Sequence, residues 1–410
     1  MQLSATRAGI MANIHRVSAR TYDYEMGTDM LFLDDPRSLI AEGAIPLSRN
    51  HRGTHPRLGI PVEMVKCPLN GGFVPLGALR EDGTPHPHAG TGFVLTEAYA
   101  HRVRTAEPGS QETALSDDDQ YVYHEWAQVS FDGDRFLVSE YERPPLDALL
   151  PGHTITGTGM SAAIPDGDDF LLPVTALNPA TQAGDPPSAA KYVTGISRWQ
   201  RPAQGWRAVA FSPVDAGVQG TEPSLIRDVD GALLFTQRQE GQGARNIMIW
   251  RSSDSGATWT KIIDAPDLRQ PGPLSICQAA DGTPYVACNQ GFSGFINCVG
   301  HLGVEGYPTF REVLCLWPLT ADRTSLLTPF FARIPRYEFG PPVVGGEWYC
   351  DHPVGLNLRL ADGRWHHLLC YRIMAIAEGL GQGYPPSPHS GLHVEEVTSN
   401  GPARPVWRFE

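Results

Sequence analysis

The chain has 410 residues, 41% hydrophobic and 19% charged, with 43 glycines and 36 prolines; so much turn-forming residue favours many short strands over long helices. Its formal charge of −13 argues against nucleic acid or an anionic membrane surface as partner, because both are held through clustered Lys and Arg. A single conventional core stops growing at about 250 to 300 residues, so repeats are the first thing to seek.

The opening, Met1-Gln2-Leu3-Ser4-Ala5-Thr6-Arg7, lacks the apolar core of about 7 to 15 residues that marks a secretory signal. No apolar run of about 18 residues follows, and the expectation is a cytoplasmic protein. The cysteines (Cys67, Cys277, Cys288, Cys298, Cys315, Cys350 and Cys370) show no CxxC spacing. They read as buried, inert thiols, not as a zinc knuckle or a disulfide framework.

Along the chain, short apolar runs lead into Asp-Gly and a second apolar run follows, the pattern of two strands joined by a tight turn in which Gly accepts a positive φ. The turns are Asp82-Gly83, Asp132-Gly133, Asp166-Gly167, Asp230-Gly231, Asp281-Gly282 and Asp362-Gly363. Their contexts match: Ser224-Leu225-Ile226-Arg227 with Ala232-Leu233-Leu234-Phe235, against Leu274-Ser275-Ile276-Cys277 with Tyr285-Val286-Ala287-Cys288. Successive turns lie 34 to 81 residues apart, which suits four-stranded blades with variable insertions. The expected fold is all-β: one six-bladed β-propeller over residues 1–410, with seven blades as the alternative. The strand-like segments Ala12 to Leu33 and Leu392 to Phe409 are expected to share a blade, which removes exposed edges. Pro/Gly-rich stretches at Asn178 to Ala189 and Gly379 to Ser390 read as loops over a propeller face.

Polar clusters rich in His punctuate the repeats. Pro85-His86-Pro87-His88 follows the first turn, and Tyr121-Val122-Tyr123-His124-Glu125-Trp126 opens the second repeat. His titrates near neutrality and serves as acid or base. His86 and His88 lack a third ligand at fixed spacing, so no metal is expected, and no cofactor is implied.

Ser252-Ser253-Asp254-Ser255-Gly256-Ala257-Thr258-Trp259 matches the Asp box, S-x-D-x-G-x-T-W, of sialidases and related propellers. Physically it is a hairpin turn, with Asp accepting backbone N–H bonds, Gly in the strained position and Trp burying its ring. Upstream, Glu222-Pro223-Ser224-Leu225, then Asp230-Gly231, Arg238 and Arg245, stand in the order of the family's central blade. The chain therefore resembles the sialidase-like superfamily. That resemblance implies a six-bladed propeller, an Asp box away from the active site, a functional Glu222, and Arg238 as the holder of a substrate carboxylate. Hairpin arithmetic agrees, since the residues from Glu222 to Arg238 run down one strand and back to the same end. A guanidinium offers a planar two-donor fork to a carboxylate; a rim salt bridge between the two is the alternative.

The family pattern then breaks. Sialidases use three Arg, a Tyr nucleophile polarised by Glu, and an Asp acid, the first Arg lying in an Arg-Ile-Pro triplet near the start. Here the only such triplet is Arg333-Ile334-Pro335, far too late, and the early basic cluster Asn50-His51-Arg52-Gly53-Thr54-His55-Pro56-Arg57 offers Arg52 instead. Where the family has its Tyr, before the first strand of the last repeat, stands Tyr349-Cys350-Asp351-His352-Pro353-Val354-Gly355. Tyr371 and Arg372 end the same hairpin.

Three functions remain open. The first is an exo-acting glycoside hydrolase on an acidic sugar, a sialic-acid-like ulosonate or a uronate. Arg238, with Arg52, Arg372, Tyr371 and His86, would bind this substrate; Glu222, His352, Asp351, Tyr349, His88 and His124 would form the acid/base set. Glu222 and Asp351 are its candidates for a two-carboxylate mechanism. The second is a propeller lyase cleaving a uronate by β-elimination with His and Tyr. The third is a glycan-binding propeller without turnover, because fold does not fix function.

Overall fold

The computed structural model describes residues 4–12, 49–54, 61–102, 122–132, 136–139, 149–150, 154–155, 159–177, 192–239, 246–269, 272–289, 312–340, 347–359, 365–376, 389, 391–398 and 408–409. They form an all-β propeller of five blades, relieved by one short helix at Pro335–Phe339. Blade 1 is built on Pro61–Val74, Thr91–Arg102, Val122–Phe131 and Phe136–Val138, with Arg49–Thr54 added beside its first strand. In blade 2, Ile164–Asp166 is followed by Asp169–Leu177, Tyr192–Gln200 and Arg207–Pro213; Thr154–Ile155 pairs the far end of its second strand. Blade 3 runs Gly220–Arg227, Leu233–Gln239, Asn246–Ser252 and Thr260–Arg269, and blade 4 runs Leu274–Gln278, Pro284–Asn289, Leu314–Pro318 and Phe330–Arg333. Blade 5 comprises Glu347–Arg359, Trp365–Ile376, Gly391–Thr398 and, antiparallel at its edge, Ser4–Ala12 from the other end of the chain. Residues 13–48, which include most of the Ala12 to Leu33 segment, lie outside the described residues, as do both predicted surface loops apart from His389.

The sequence repeats predict six blades, and a sixth is not found among the described residues. The difference lies in one turn. Asp82-Gly83, Asp166-Gly167, Asp230-Gly231, Asp281-Gly282 and Asp362-Gly363 each stand between the first and second strands of a blade, whereas Asp132-Gly133 stands between the third and fourth strands of blade 1. An Asp-Gly pair suits any tight antiparallel turn, so its chemistry does not reveal which two strands it joins.

Burial follows from face-to-face packing of the blades. Every residue of the second strand Pro284–Asn289 is buried, as expected of a strand covered on both faces, while the outer strand Arg207–Pro213 is mostly exposed or half-buried. Aromatic rings fill the seams. Phe93 of blade 1 stacks on Trp199 of blade 2 at 4.0 Å between centroids, and Tyr285, Trp348 and Tyr371 lie between blades 4 and 5. Gly355 has a structural reason: a Cβ there would come within 2.8 Å of Cys277 Sγ in the neighbouring blade.

First strands interlock around the centre. The Ala163 amide donates to the Gly71 carbonyl, linking blades 1 and 2, and the Met160 amide donates to Pro223 O, linking 2 and 3. Ser224 Oγ donates to Ile276 O and accepts from its amide, joining blades 3 and 4. The Ser275 hydroxyl lies within hydrogen-bonding reach of both Met160 O and Pro353 O, so one side chain touches blades 2, 4 and 5. Met160, Ala162 and Val354 pack together beside it.

Candidate functional site

First strands start at what is here termed the upper end, and Asp-Gly hairpins close the opposite, turn end. Glu222 sits near the start of the first strand of blade 3, in a bulge between the pairs Thr221↔Arg238 and Ser224↔Thr236. Its φ is +49°, unusual for a residue with a Cβ. Arg238, opposite Thr221, returns to the same end, and its NH1 donates to Glu222 Oε2 at 3.0 Å. Both side chains are 16% exposed, so the pair is substantially shielded from bulk water and its charges are screened less than a surface pair's.

Blade 5 repeats the device. His352 has a φ of +53° and lies in a bulge between Asp351↔Arg372 and Val354↔Cys370. Like Glu222 it precedes a proline. Asp351 is fully buried and its Oδ1 lies 3.1 Å from His352 Nδ1. A proton on Nδ1 facing that carboxylate fixes the tautomer and leaves the Nε2 lone pair for chemistry. His352 Nε2 has no hydrogen-bond partner among the described residues.

The two bulges are tied by a short chain of contacts. Pro223 O accepts from the Met160 amide, and the Ser275 hydroxyl stands between Met160 O and Pro353 O. On the other side of the dyad, Asn289 Nδ2 donates to Cys350 O at 2.9 Å and to Val313 O at 3.1 Å. Ser275 and Asn289 therefore hold the Cys350-to-Pro353 backbone from blade 4. Neither was singled out by sequence reading; the available signal was a serine and an asparagine inside otherwise apolar strands.

The other candidates separate. Tyr371 faces the bulge of His352 across the strand pair but is fully buried, with its hydroxyl donating to Glu395 Oε1 at 2.7 Å and its ring stacked on His393. Burial, reinforced by the nearby Cys350 and Glu395, pushes its hydroxyl far above the ordinary tyrosine range. Arg333, of the Arg-Ile-Pro triplet, contacts Glu395 at 3.2 Å and Glu338 at 2.8 Å. His86 and His88 follow the Asp82-Gly83 turn and lie at the turn end beside Asp168, away from Glu222 and His352. The strands bearing Arg52, His124, Tyr349 and Arg372 are described, but those side chains lie outside the described residues. Among the described residues no group of three or more His, Cys, Asp or Glu is placed to hold a metal ion.

The Asp box also closes the turn end. Asp254 Oδ1 accepts from the Thr258 amide at 2.9 Å and Oδ2 from its hydroxyl at 2.6 Å, while Ser252 Oγ accepts from the Gly256 amide. Ser255 and Gly256 take φ of 55° and 87°, and the Trp259 ring meets Phe235 at 5.6 Å. Hydrogen bonds from Thr258 and Ser252 hold the Asp254 carboxyl down to about 2.

Fold and site together define a β-propeller with two hydrogen-bonded ionisable pairs at one end of its blades. No family model and no curated protein matches the sequence. Among solved structures, the chain is similar to a protein of unknown function from Dyadobacter fermentans at 14% identity and TM-score 0.45, over 87% of this chain and 86% of that one. It is similar to the intramolecular trans-sialidase of Ruminococcus gnavus at 12% identity and TM-score 0.40, over 91% and 83%. With the NanB sialidase of Streptococcus pneumoniae the identity is 11% and the TM-score 0.40, over 85% of this chain but 55% of NanB.

Proposed function

We propose that this propeller is a carbohydrate-active enzyme that hydrolyses the terminal glycosidic bond of an acidic sugar, a sialic-acid-like ulosonate or a uronate. The observation that carries the reading is the pairing of two bulge residues at one end, Glu222 against Arg238 and His352 against Asp351. Residues held at positive φ against their preference cluster at functional sites. In this reading Arg238 turns its fork to the substrate carboxylate. His352, oriented by Asp351, takes a proton from the attacking water and passes it to the leaving oxygen as the carbon–oxygen bond breaks, while the Glu222 carboxylate, kept ionised beside Arg238, polarises that water. Water thus adds across the bond with no oxidant or cofactor.

Elimination is the weaker reading on one observation. It calls on a tyrosine and a histidine to move protons, and Tyr371, which faces the His352 bulge, is buried with its hydroxyl given to Glu395. The test is incubation with nitrophenyl glycosides of N-acetylneuraminate, glucuronate and neutral glucose, and separately with polymeric uronates. Release of nitrophenol from the acidic glycosides alone supports hydrolysis. New ultraviolet absorbance of an unsaturated uronate supports elimination, and binding without product from any of them supports a glycan-binding role.

A further inference from the structure

At the turn end, between blades 1 and 2, His86 and His88 stand in a cluster that the upper site does not use. His86 is buried, and its Nδ1 accepts from the His88 amide at 3.2 Å, so its proton lies on Nε2, which faces Asp168 Oδ1 at 3.8 Å. Asp168 is also clasped by Arg80 through Nε at 2.7 Å and through NH2. Asp169, next in the chain, is held by Arg198 at 2.9 Å and by the Gln200 side-chain Nε2 at 3.0 Å. The carboxylates of this seam are therefore already matched by donors.

His88 and Arg201 are not. The His88 ring meets the edge of Trp206 at 5.3 Å, and its Nδ1 is buried with no hydrogen-bond partner among the described residues. Arg201 follows Gln200, which pairs with Arg207, so it lies at the same hairpin end as Trp206, whose ring His88 meets; its charge disfavours protonation of His88, after the larger effect of burial. Its Nε is likewise buried and unpartnered. Every other arginine whose side chain is described as half-buried holds a carboxylate. Arg201 is a half-buried, permanent charge with no counterion among the described residues, which is costly unless another group supplies one.

We propose that Arg201 and His88 form a second binding site, at the turn end, for a small oxyanion. The guanidinium and the imidazole would donate to its oxygens, and Trp206 would form an apolar wall. A carboxylate on a glycan and free inorganic phosphate share that chemistry. This site does not depend on the reading of the upper end.

The test follows the imidazole signals of the folded protein by NMR, with His88 assigned through His88→Gln. Acetate, glucuronate and inorganic phosphate are titrated at constant ionic strength against chloride. A saturable shift of His88 with an oxyanion, weakened at least about tenfold in Arg201→Gln and unchanged in Arg207→Gln, is expected, since losing a charge-assisted hydrogen bond costs about 1.5 to 3 kcal/mol. Tighter glucuronate than acetate assigns the site to a sugar acid, and tighter phosphate assigns it to the free ion. Arg201→Lys, which keeps the charge and loses the fork, guards against misfolding and is expected to bind with intermediate affinity. No saturable shift with any of the three, an equal shift with chloride, or undiminished affinity in Arg201→Gln would overturn the proposal. Arg238→Ala should leave this titration unchanged, so failure of the upper site and failure of this one are separable.

Discussion

Glu222 and His352 occupy the same place in two blades: each has a positive φ, each precedes a proline, and each lies in a bulge of the first strand against the second. Their partners differ in kind. Glu222 faces a cation and His352 a carboxylate, so one end presents a carboxylate, a guanidinium and an oriented imidazole. These are the components of charge recognition and proton transfer.

Arg238→Ala should weaken binding of a carboxylated sugar by about 10- to 100-fold, the range for a lost charge-assisted hydrogen bond. Calorimetry with glucuronate and its neutral glucose counterpart makes the comparison. Equal weakening of both would remove Arg238 from carboxylate recognition.

His352→Ala should lower kcat by about 10² to 10⁴, the usual contribution of a positioned acid or base, with KM little changed. Asp351→Asn should approach the same loss, because it disturbs the tautomer that frees Nε2. The double variant should be scarcely worse than either alone, since the two groups act as a unit. Additive losses measured under saturating substrate would break the dyad apart.

Ser275→Ala leaves two buried carbonyls, on Met160 and Pro353, without their hydroxyl partner. A buried group left unsatisfied costs about 1 to 3 kcal/mol, readable as a lower midpoint in urea. Unchanged urea stability would show that the contact does not hold the blades.

Asp254 gives a pH signature. Its carboxyl is depressed from 3.8 to about 2 by hydrogen bonds from Thr258 and Ser252, so its contribution is complete above its ordinary pKa and is lost as pH falls through the folded value. The melting temperature of Asp254→Ala should lie below that of the native chain near neutrality, and the gap should close in acid. A gap that persists at the lowest pH would assign the effect to something other than this carboxylate.

What sequence made legible were local devices. The Asp box needs only its own eight residues, and the Glu222–Arg238 pair needs only one hairpin, so pattern and spacing suffice for both. Asp351-His352 is legible for the same reason, as neighbours in a single strand. The blade number is not, because Asp132-Gly133 has the chemistry of the other turns and joins a different pair of strands. Hairpin direction places His86 and His88 at the turn end, yet a His-rich composition alone groups them with His352. Ser275 acts through backbone carbonyls of two other blades, contacts that no local pattern encodes. Tyr371 shows the converse: proximity along the hairpin suggests a shared pocket, while the strand pairing turns its hydroxyl to Glu395.

The most direct measurement of the central claim is a crystal structure of the protein soaked with N-acetylneuraminate or glucuronate. The sugar carboxylate is expected at about 2.7 to 3.2 Å from the Arg238 guanidinium, with its anomeric carbon toward Glu222 and His352 Nε2. A sugar bound elsewhere, with the Glu222–Arg238 and Asp351–His352 pairs undisturbed and untouched, would contradict it.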